Sequence, residues 1–493
     1  MSSERAVLRR RLHPAGIAVM AVDSLRQAAL PLLLAFGATL FGGDSDAMGL
    51  ARIVGFTLIA TAAAVLLGYV RWRSTTYAVT DDAIEYRTGV VSVREASVPL
   101  GRVQSLDSVQ GILQRVFGVV AVQVQAAGGG KKAEIVLSAV SPADLAELRA
   151  AVAGAHPEAV AASAPERRGT YARVSPRRLA AAAATQGQVA IVLPILAGAV
   201  QLLRDVFSDS ALEQRAIGLV PDSVGEALLA LALLGVAGWA VSALGTVIAF
   251  AGFTLERDGG RLRIARGLLQ RREAIVPVRR VQAVRVVEGL LREPFGLASL
   301  RVEVAGYAAD ASSAQTLFPL VRRTEVEPLL RRMLPELAVP LEPLAPPPRR
   351  ALRRFLVEPL ALAVVPAAAA WIALAAARPW ALALLVPAAW WGVARYRATG
   401  WRVDAAHLAL RSRRLARTTV LAPVRRIQQH DLEQTLWQRR GRLASLEVAL
   451  GAGTRARVDH LELEVAGRVF DDLRPGNLGA CSARAPSPPS STD

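Results

Sequence analysis

The chain has 493 residues, of which 53% are hydrophobic and 20% charged, and its formal net charge is +18. This length exceeds one ordinary domain, and the apolar residues gather in blocks without charge, which argues against a uniformly soluble protein. The single cysteine, Cys481, excludes a disulfide framework within the chain.

Six uncharged blocks predict membrane helices, because a span needs roughly 17–25 predominantly apolar residues. The blocks are Gln27–Gly43, Ile53–Val70, Leu179–Leu203, Ala227–Phe253, Pro359–Ala377 and Pro379–Ala394. The alternative is that they are buried helices of a large soluble protein, but helices that are apolar all round are rare there. The blocks follow one another in pairs, which predicts three helical hairpins.

Charges at the ends of the blocks predict their orientation. Arginines follow the second and sixth blocks and precede the third and fifth, whereas the segment near 204–226 is acidic. Positive charge beside a span marks the cytoplasmic side. We therefore expect both termini and the long soluble segments after the second, fourth and sixth blocks to lie in the cytoplasm, and the loop near 204–226 to be extracytoplasmic.

One sequence unit follows each pair of blocks. Residues 98–127 and 276–305 share 12 of 30 positions without a gap, and 276–305 and 422–451 share 11. The copies open on VPLGRVQ, VPVRRVQ and APVRRIQ. Two of them continue to Phe117-Gly118 and Phe295-Gly296, where the third has Gly441-Arg442. We expect Phe117 in the core, Gly118 in a conformation that favours glycine, and an altered turn in the third copy.

Apolar residues alternate on both sides of this motif, as in AIEYR, RLRIAR and HLALR. That period predicts half-buried antiparallel strands. The motif itself begins as a strand, and its middle, VEGLLREPFG in the second copy, predicts a short helix. An amphipathic helix closes each unit, with Ser141 and Thr324 as candidate N-caps in the first two.

These signals predict a domain order. It is a basic N-terminal segment (1–26), helices 1 and 2 (27–70), soluble domain 1 (71–153), a linker (154–178), helices 3 and 4 (179–253), soluble domain 2 (254–335), a Pro/Arg-rich linker (336–354), helices 5 and 6 (355–394), soluble domain 3 (395–478) and a disordered tail (479–493).

The motif VP-x-x-RVQ, placed directly after helix pairs, resembles the bacterial PH-like domains of YdbS/YdbT-type membrane proteins. The resemblance covers nearly the whole chain and implies two curved antiparallel sheets capped by a helix, without implying an activity. The expected fold is thus a multi-pass α-helical protein of the bacterial inner membrane. It carries three cytoplasmic PH-like domains, each made of antiparallel β-sheets capped by a C-terminal helix.

Recognisable catalytic chemistry is not found in the sequence. The five histidines lack ligand spacing, so we expect neither a metal nor another cofactor. GGGKKAE (128–134) lacks the complete phosphate-loop pattern. Six spans would suffice for a transporter or channel component, which is the alternative function. The centres of the blocks lack the ionisable residues that transport pathways usually carry, so we expect a scaffold that is not an enzyme.

Two groups of residues are candidates for interaction. The first is the repeated Arg-x-Gln of the motif, at Arg102, Gln104, Arg280, Gln282, Arg426 and Gln428. An i, i+2 pair shares one strand face, where it either ties the sheet to its neighbours or contacts a partner. The second is Arg349, Arg350, Arg353 and Arg354, which either only sets topology or binds anionic lipid. Expected partners are the membrane, anionic lipid, and another membrane protein or a second copy; nucleic acid is not expected.

Overall fold

The computed structural model describes residues 9–26, 47–89, 92–126, 135–154, 170–185, 224–304, 316–373, 382–383, 385–451 and 455–474. Contacts divide the chain into two compact units. Unit 1 comprises residues 1–275 and 308–313, and unit 2 comprises residues 276–307 and 314–493. The division falls inside the second repeat, so each unit holds parts of two repeats.

Each repeat has two groups of three antiparallel strands and a closing helix. Repeat 1 contains β2 (Thr76–Val79), β3 (Ala83–Thr88), β4 (Arg94–Pro99), β5 (Val103–Gln110), β6 (Val120–Ala126), β7 (Ile135–Val140) and the helix Pro142–Gly154. Repeat 2 contains β9 (Thr254–Asp258), β10 (Arg261–Arg266), β11 (Arg271–Pro277), β12 (Val281–Glu288), β13 (Leu297–Val304), β14 (Thr316–Arg322) and the helix Arg323–Met333. Repeat 3 contains β15 (Gly400–Val403), β16 (His407–Arg413), β17 (Arg417–Pro423), β18 (Ile427–Glu433), β19 (Leu443–Leu450), β20 (Arg455–Glu462) and the helix Leu463–Asp472.

A segment that precedes each repeat pairs with its first strand. The strand β1 (Arg10–Arg11) pairs with β2, and β8 (Thr170–Arg173) pairs with β9. Before the third repeat, Ala345 forms a single bridge to Trp401. The described parts of the two linkers are therefore held against the repeats that follow them.

Consecutive repeats join edge to edge, in the same register each time. In unit 1, β5 of the first repeat pairs with β11 of the second, with Gln110 opposite Arg271. In unit 2, β12 of the second repeat pairs with β17 of the third, with Glu288 opposite Arg417. Gln110 aligns with Glu288, and Arg271 with Arg417, in the gap-free alignment of the repeats. The resulting sheets have the strand orders β7-β6-β5-β11-β10-β9-β8 and β14-β13-β12-β17-β16-β15.

In repeats 1 and 3 the core lies between the two strand groups and the closing helix. In repeat 1 it includes Ile84, Val122, Ile135, Leu137 and Leu148 from both groups and the helix, all fully buried. The inward residues recur at every second strand position, which is the alternation that the sequence predicted. Repeat 3 has an equivalent core built from β16 to β20 and the helix Leu463–Asp472.

The first closing helix begins as expected and the second does not. The backbone N–H of Asp144 donates to Ser141 Oγ at 3.1 Å, which confirms Ser141 as a side-chain cap. In repeat 2 the cap position is Arg322, whose side chain accepts no capping hydrogen bond, and Thr324 already lies inside the helix. The prediction for Thr324 is therefore wrong.

The Phe-Gly element differs from its prediction in one respect. Gly118 and Gly296 have φ angles of +66° and +61°, so the expected left-handed backbone is confirmed. Phe117, however, is 46% exposed and Phe295 72% exposed, so Phe117 is not a core residue. In the third copy, Arg442 adopts the same conformation, with φ +49°, although it has a side chain. The turn is thus retained where we expected it to be altered.

The prediction of a multi-pass α-helical membrane protein is wrong. Within the described residues, one helix, Ala47–Ser74, has a stretch that is long and apolar enough to cross a membrane, Val54–Ser74. The helix Val224–Phe250 contains a shorter apolar stretch, Gly235–Phe250. The repeats are instead built on antiparallel sheets, and the first apolar block, Gln27–Gly43, lies outside the described residues.

The other apolar blocks depart from spans for separate reasons. The described start of the third block belongs to the nine-residue helix Pro176–Ala184, and the rest lies outside the described residues. The described part of the fifth, 359–373, lies in the helix Leu352–Ala373, which contains Pro359 and Pro366. The end of the sixth, 385–394, lies in the helix Leu385–Ala398, whose 14 residues are fewer than the roughly 17–25 that a span requires; residues 379–381 and 384 lie outside the described residues.

Candidate functional site

The VP-x-x-RVQ motif builds the corner between the two strand groups of each repeat. Its proline precedes a 3₁₀ turn, which covers Leu100–Arg102, Val278–Arg280 and Val424–Arg426 in the three copies. The fixed φ of proline suits this start of a turn. The motif arginine ends the turn, and the next residue begins the following strand. The motif is therefore not the continuous strand that its sequence suggests, and its arginine and glutamine do not share one strand face.

The motif glutamine lies at a β-bulge in all three copies. The pairing register shifts between Val103 and Ser105, between Val281 and Ala283, and between Ile427 and Gln429. A bulge bends its strand and re-aims a side chain. The recurring Arg-x-Gln is thus tied to the bend that turns the chain from one strand group into the next.

The three motif arginines have different surroundings. Arg102 is exposed in unit 1, whereas Arg280 and Arg426 are half-buried in unit 2. A guanidinium nitrogen of Arg426 lies 3.3 Å from Glu336 Oε2. Burial lowers the pKa of Arg426 below its ordinary value, although Glu336 acts in the opposite direction. Arg426 therefore connects the corner of repeat 3 to the segment that follows repeat 2.

The motif glutamines of repeats 2 and 3 come together. Gln282 Nε2 donates to the Arg280 carbonyl at 3.3 Å. A β-carbon on Gly451 would lie 3.3 Å from Gln282 Oε1 and 3.0 Å from Gln428 Nε2, so both amides lie close to this glycine. The side chain of Gln104 is outside the described residues. In unit 2 these contacts favour the structural role of the motif over an open ligand surface.

The four linker arginines divide into two pairs. Arg350 forms an ion pair of 2.7 Å with Glu462. Arg354 donates to the Trp437 carbonyl at 2.8 Å and stacks over the same tryptophan. Both contacts hold the start of the helix Leu352–Ala373 against repeat 3. Arg349 and Arg353 are exposed and form no ion pair with the described residues.

A histidine joins the same helix to repeat 3. The backbone N–H of Thr435 donates to Gln438 Oε1 at 2.9 Å, which orients the amide. Gln438 Nε2 then donates to Ser445 Oγ at 2.8 Å and to His460 Nδ1 at 2.9 Å. The His460 ring packs edge-on against Phe355. Burial lowers the pKa of His460, because the charged imidazolium loses solvation, and Arg395 and Arg354 act in the same direction.

Sequence reasoning missed the ion network at the junction of repeats 2 and 3. Glu288 is 2% exposed and accepts two hydrogen bonds from the guanidinium of Arg417, at 2.6 and 2.7 Å. Glu293 lies 3.1 Å from Arg417 and also pairs with Arg413. The only signal was the opposite charge at two positions 129 residues apart, which no local pattern singles out. In the described residues, no group of three or more His, Cys, Asp or Glu could hold a metal ion.

Three matches to one family coincide with the three repeats. The family described as Bacterial PH domain matches residues 30–156, 191–337 and 359–476. The chain belongs to this family. It is also 24% identical over 465 residues to the UPF0699 transmembrane protein YdbT of Bacillus subtilis (strain 168), covering 90% of this chain and 92% of that protein. The resemblance to YdbS/YdbT-type proteins is thereby confirmed. No solved structure matches the chain significantly.

Proposed function

We propose that this chain is a non-enzymatic protein of the bacterial cytoplasmic membrane, and that its three PH-like repeats act as a scaffold on the cytoplasmic face. The repeats would bind anionic lipid headgroups, a partner membrane protein or another copy of the chain. Similarity to a protein named as transmembrane supports the location. Nothing in the described residues favours the transport alternative over this role.

The orientation rests on the helix Ala47–Ser74, which contains the candidate span Val54–Ser74. Arg71 and Arg73 lie in its last turn, and β2 of repeat 1 begins at Thr76. Arginine at the end of a span favours the cytoplasmic side, so repeat 1 would meet the inner membrane surface directly. The domain boundaries given above stay a prediction, although each family match overlaps one predicted soluble domain.

Lipid binding rests on one observation, the exposure of Arg349 and Arg353 beside an apolar helix. Their neighbours Arg350 and Arg354 are engaged with repeat 3, so the repeat would be held close to the two exposed guanidinium groups. Basic residues near an anionic membrane contribute about 1 kcal/mol each, and salt screens the effect. Two such residues should favour anionic over neutral lipid by about thirtyfold.

The test compares two matched double variants of the full chain in mild detergent. Retention of phosphatidylglycerol and phosphatidylcholine is measured by native mass spectrometry at increasing salt. Arg349→Gln/Arg353→Gln should lose the preference for phosphatidylglycerol and keep the melting temperature. Arg350→Gln/Arg354→Gln should lower the melting temperature and keep the preference. If the unmodified protein retains both lipids equally at low salt, lipid binding is wrong and protein assembly is the remaining role.

The orientation has an independent test at Cys481, the single thiol, which lies outside the described residues. A membrane-impermeant maleimide should label Cys481 in inverted vesicles and not in intact protoplasts. Detergent-permeabilised protoplasts provide the positive control. Labelling of intact protoplasts at the same rate as inverted vesicles would contradict the cytoplasmic placement.

A further inference from the structure

Within the described residues, one strand at each end of the series of repeats pairs on one side only. In the described part of the chain, β4 pairs only with β3, whereas its counterparts β11 and β17 also pair with the preceding repeat. Likewise β18 pairs only with β19, whereas its counterparts β5 and β12 also pair with the following repeat. An edge strand presents unpaired N–H and C=O groups, which template pairing with another strand.

We propose that β18 of one copy of this chain pairs with β4 of a second copy, in the register that both internal junctions use. The chain then assembles head to tail by the contact that already joins its repeats. This inference rests on the protein-assembly part of the proposed function and specifies the partner and the surface. Head-to-tail contacts between identical chains form rings or open filaments, depending on the rotation between copies.

The internal register fixes which residues would meet. At the two junctions Val109 lies opposite Arg272 and Val287 lies opposite Thr418. In the gap-free alignment, Val109 and Val287 correspond to Glu433, and Arg272 and Thr418 correspond to Arg94. The same register would therefore place Glu433 of one copy opposite Arg94 of the next.

Glu433 and Arg94 are both exposed in the single chain, and their side chains carry opposite charges. Directly opposed unlike charges stabilise antiparallel pairing, whereas like charges oppose it. A two-fold pairing of β18 with itself would bring Asp431 and Glu433 near the same acids. Charge therefore favours β4 as the partner of β18.

The segment that follows the pairing strand also contacts the next repeat at each internal junction. Arg115 donates to the Leu268 carbonyl at 3.1 Å in unit 1, and Glu293 pairs with Arg413 in unit 2. The counterpart in repeat 3 is the helix Leu436–Arg440. There Leu436 is 74% and Trp437 61% exposed. The aligned Ile112 and Leu290 are also exposed, at 55% and 49%, although their repeats form the internal junctions, so the strand edges and their charges carry the proposal.

Disulfide trapping between two differently tagged full-length chains tests the proposal. Both chains carry Cys481→Ser; one also carries Glu433→Cys and the other Arg94→Cys. Opposed residues in antiparallel strands have Cα atoms about 4.5–5.5 Å apart, which a disulfide can bridge. We expect a mixed disulfide dimer on mild oxidation in detergent. Because each chain has one cysteine, a mixed dimer can form only between copies.

Two controls define the outcome of the trapping experiment. A chain with Val287→Cys and Thr418→Cys should form an internal disulfide at the equivalent junction, which shows that this register allows the bond. Ser97→Cys replaces Arg94→Cys in the second control. It lies three residues away, about 10 Å along the strand, beyond disulfide reach. If the Glu433–Arg94 pair yields no more mixed dimer than the Ser97 control, the proposal is wrong.

Charge reversal provides a second measurement without cysteine. Glu433→Arg and Arg94→Glu should each raise the dissociation constant for self-association by about two- to thirtyfold, because each places like charges opposite one another. The double variant should restore the association. Mass is followed by sedimentation over a concentration series in detergent. If the unmodified chain, the two single variants and the double variant all have the same mass, the proposed pairing of Glu433 with Arg94 is wrong. Neither result depends on lipid retention by Arg349 and Arg353, so the two proposals can fail separately.

Discussion

Replacing Glu288 with Gln should destabilise unit 2 and leave unit 1 unchanged. Glu288 is almost fully buried and accepts two hydrogen bonds from Arg417 across the junction of repeats 2 and 3. Removing one partner of a buried ion pair typically costs about 3–5 kcal/mol, because the remaining charge loses its compensation. Glutamine keeps the size of the side chain and one acceptor oxygen, so the change removes mainly charge.

The expected loss is about 3 kcal/mol, at the lower end of that range. Arg417 keeps a second carboxylate after the change, because Glu293 lies 3.1 Å from its guanidinium. The first junction supports a moderate effect, since it carries Gln110 opposite Arg271 and still forms the strand pair. The backbone hydrogen bonds of the junction should therefore persist, while the free energy of unfolding of unit 2 decreases.

Pulse proteolysis over a urea series measures the effect on the full chain in detergent, with separate fragments reporting on the two units. The midpoint for unit 2 should fall with an unchanged slope. Glu327→Gln is the matched control, because it breaks the ion pair of 2.5 Å with Arg331 on the surface of a helix. Such a pair contributes about 0.3–0.5 kcal/mol.

A double variant separates the ion pair from the fit of the side chains. Glu288→Gln/Arg417→Gln removes both charges and should recover more than half of the stability that Glu288→Gln loses, because no buried charge is left uncompensated. The reasoning is refuted if Glu288→Gln costs no more than Glu327→Gln. It is also refuted if the loss in the double variant equals the sum of the two single losses.

Three further outcomes are expected in unfolding measurements on the full chain. Arg442→Gly should stabilise unit 2 by about 1 kcal/mol, because it relieves a left-handed backbone, whereas Arg439→Gly, inside the helix Leu436–Arg440, should destabilise it by a similar amount. Burial lowers the pKa of His460, so the unfolded chain binds the proton more readily. The free energy of unfolding of unit 2 should therefore be at its full value above about pH 6.5 and fall as the pH decreases below it. His460→Gln should remove this part of the pH dependence. If the variant keeps the same pH dependence, His460 is not its source. Phe117→Ala should cost about 1 kcal/mol because the ring is half exposed, whereas Leu137→Ala, fully buried, should cost about 2–5 kcal/mol; equal losses would place Phe117 in the core after all.

Local signals in the sequence were sufficient for the content of each repeat. Alternation at AIEYR and its counterparts predicted strands because one face of each strand lies on a core. Ser141 with Asp144 predicted the start of a helix because the cap depends on neighbouring atoms only. The three gap-free copies then extended these assignments along the chain.

Contacts between repeats were beyond the reach of such signals. The partner of β5 is β11, whose first residue, Arg271, follows Gln110 by 161 positions. Which strand pairs with β5 depends on which strand edges are unoccupied in the folded chain. The division of the linker arginines has a similar origin. Arg350 and Arg354 differ from Arg349 and Arg353 only in the direction that the turn and helix give them.

Two errors came from treating residue type as sufficient evidence. Apolar composition predicted six spans, but the described residues contain one helix that is long and apolar enough to cross a membrane. The Phe-Gly pair suggested that the phenylalanine is a core residue. The feature that recurs in the structure is instead the left-handed backbone conformation of the glycine. Arg442 shows that this backbone form is required even where the residue disfavours it.

The shared sheets also have a consequence for synthesis on the ribosome. The second strand group of a repeat is finished long before the strand that covers its edge, since β5 ends at Gln110 and β11 begins at Arg271. At about 5–20 residues per second, roughly 8–30 s pass between the two. During that interval the nascent chain carries an uncovered edge strand, a known starting point for aggregation. Slower elongation between the repeats should therefore lower the yield of folded protein, and a chaperone that shields strand edges should restore it.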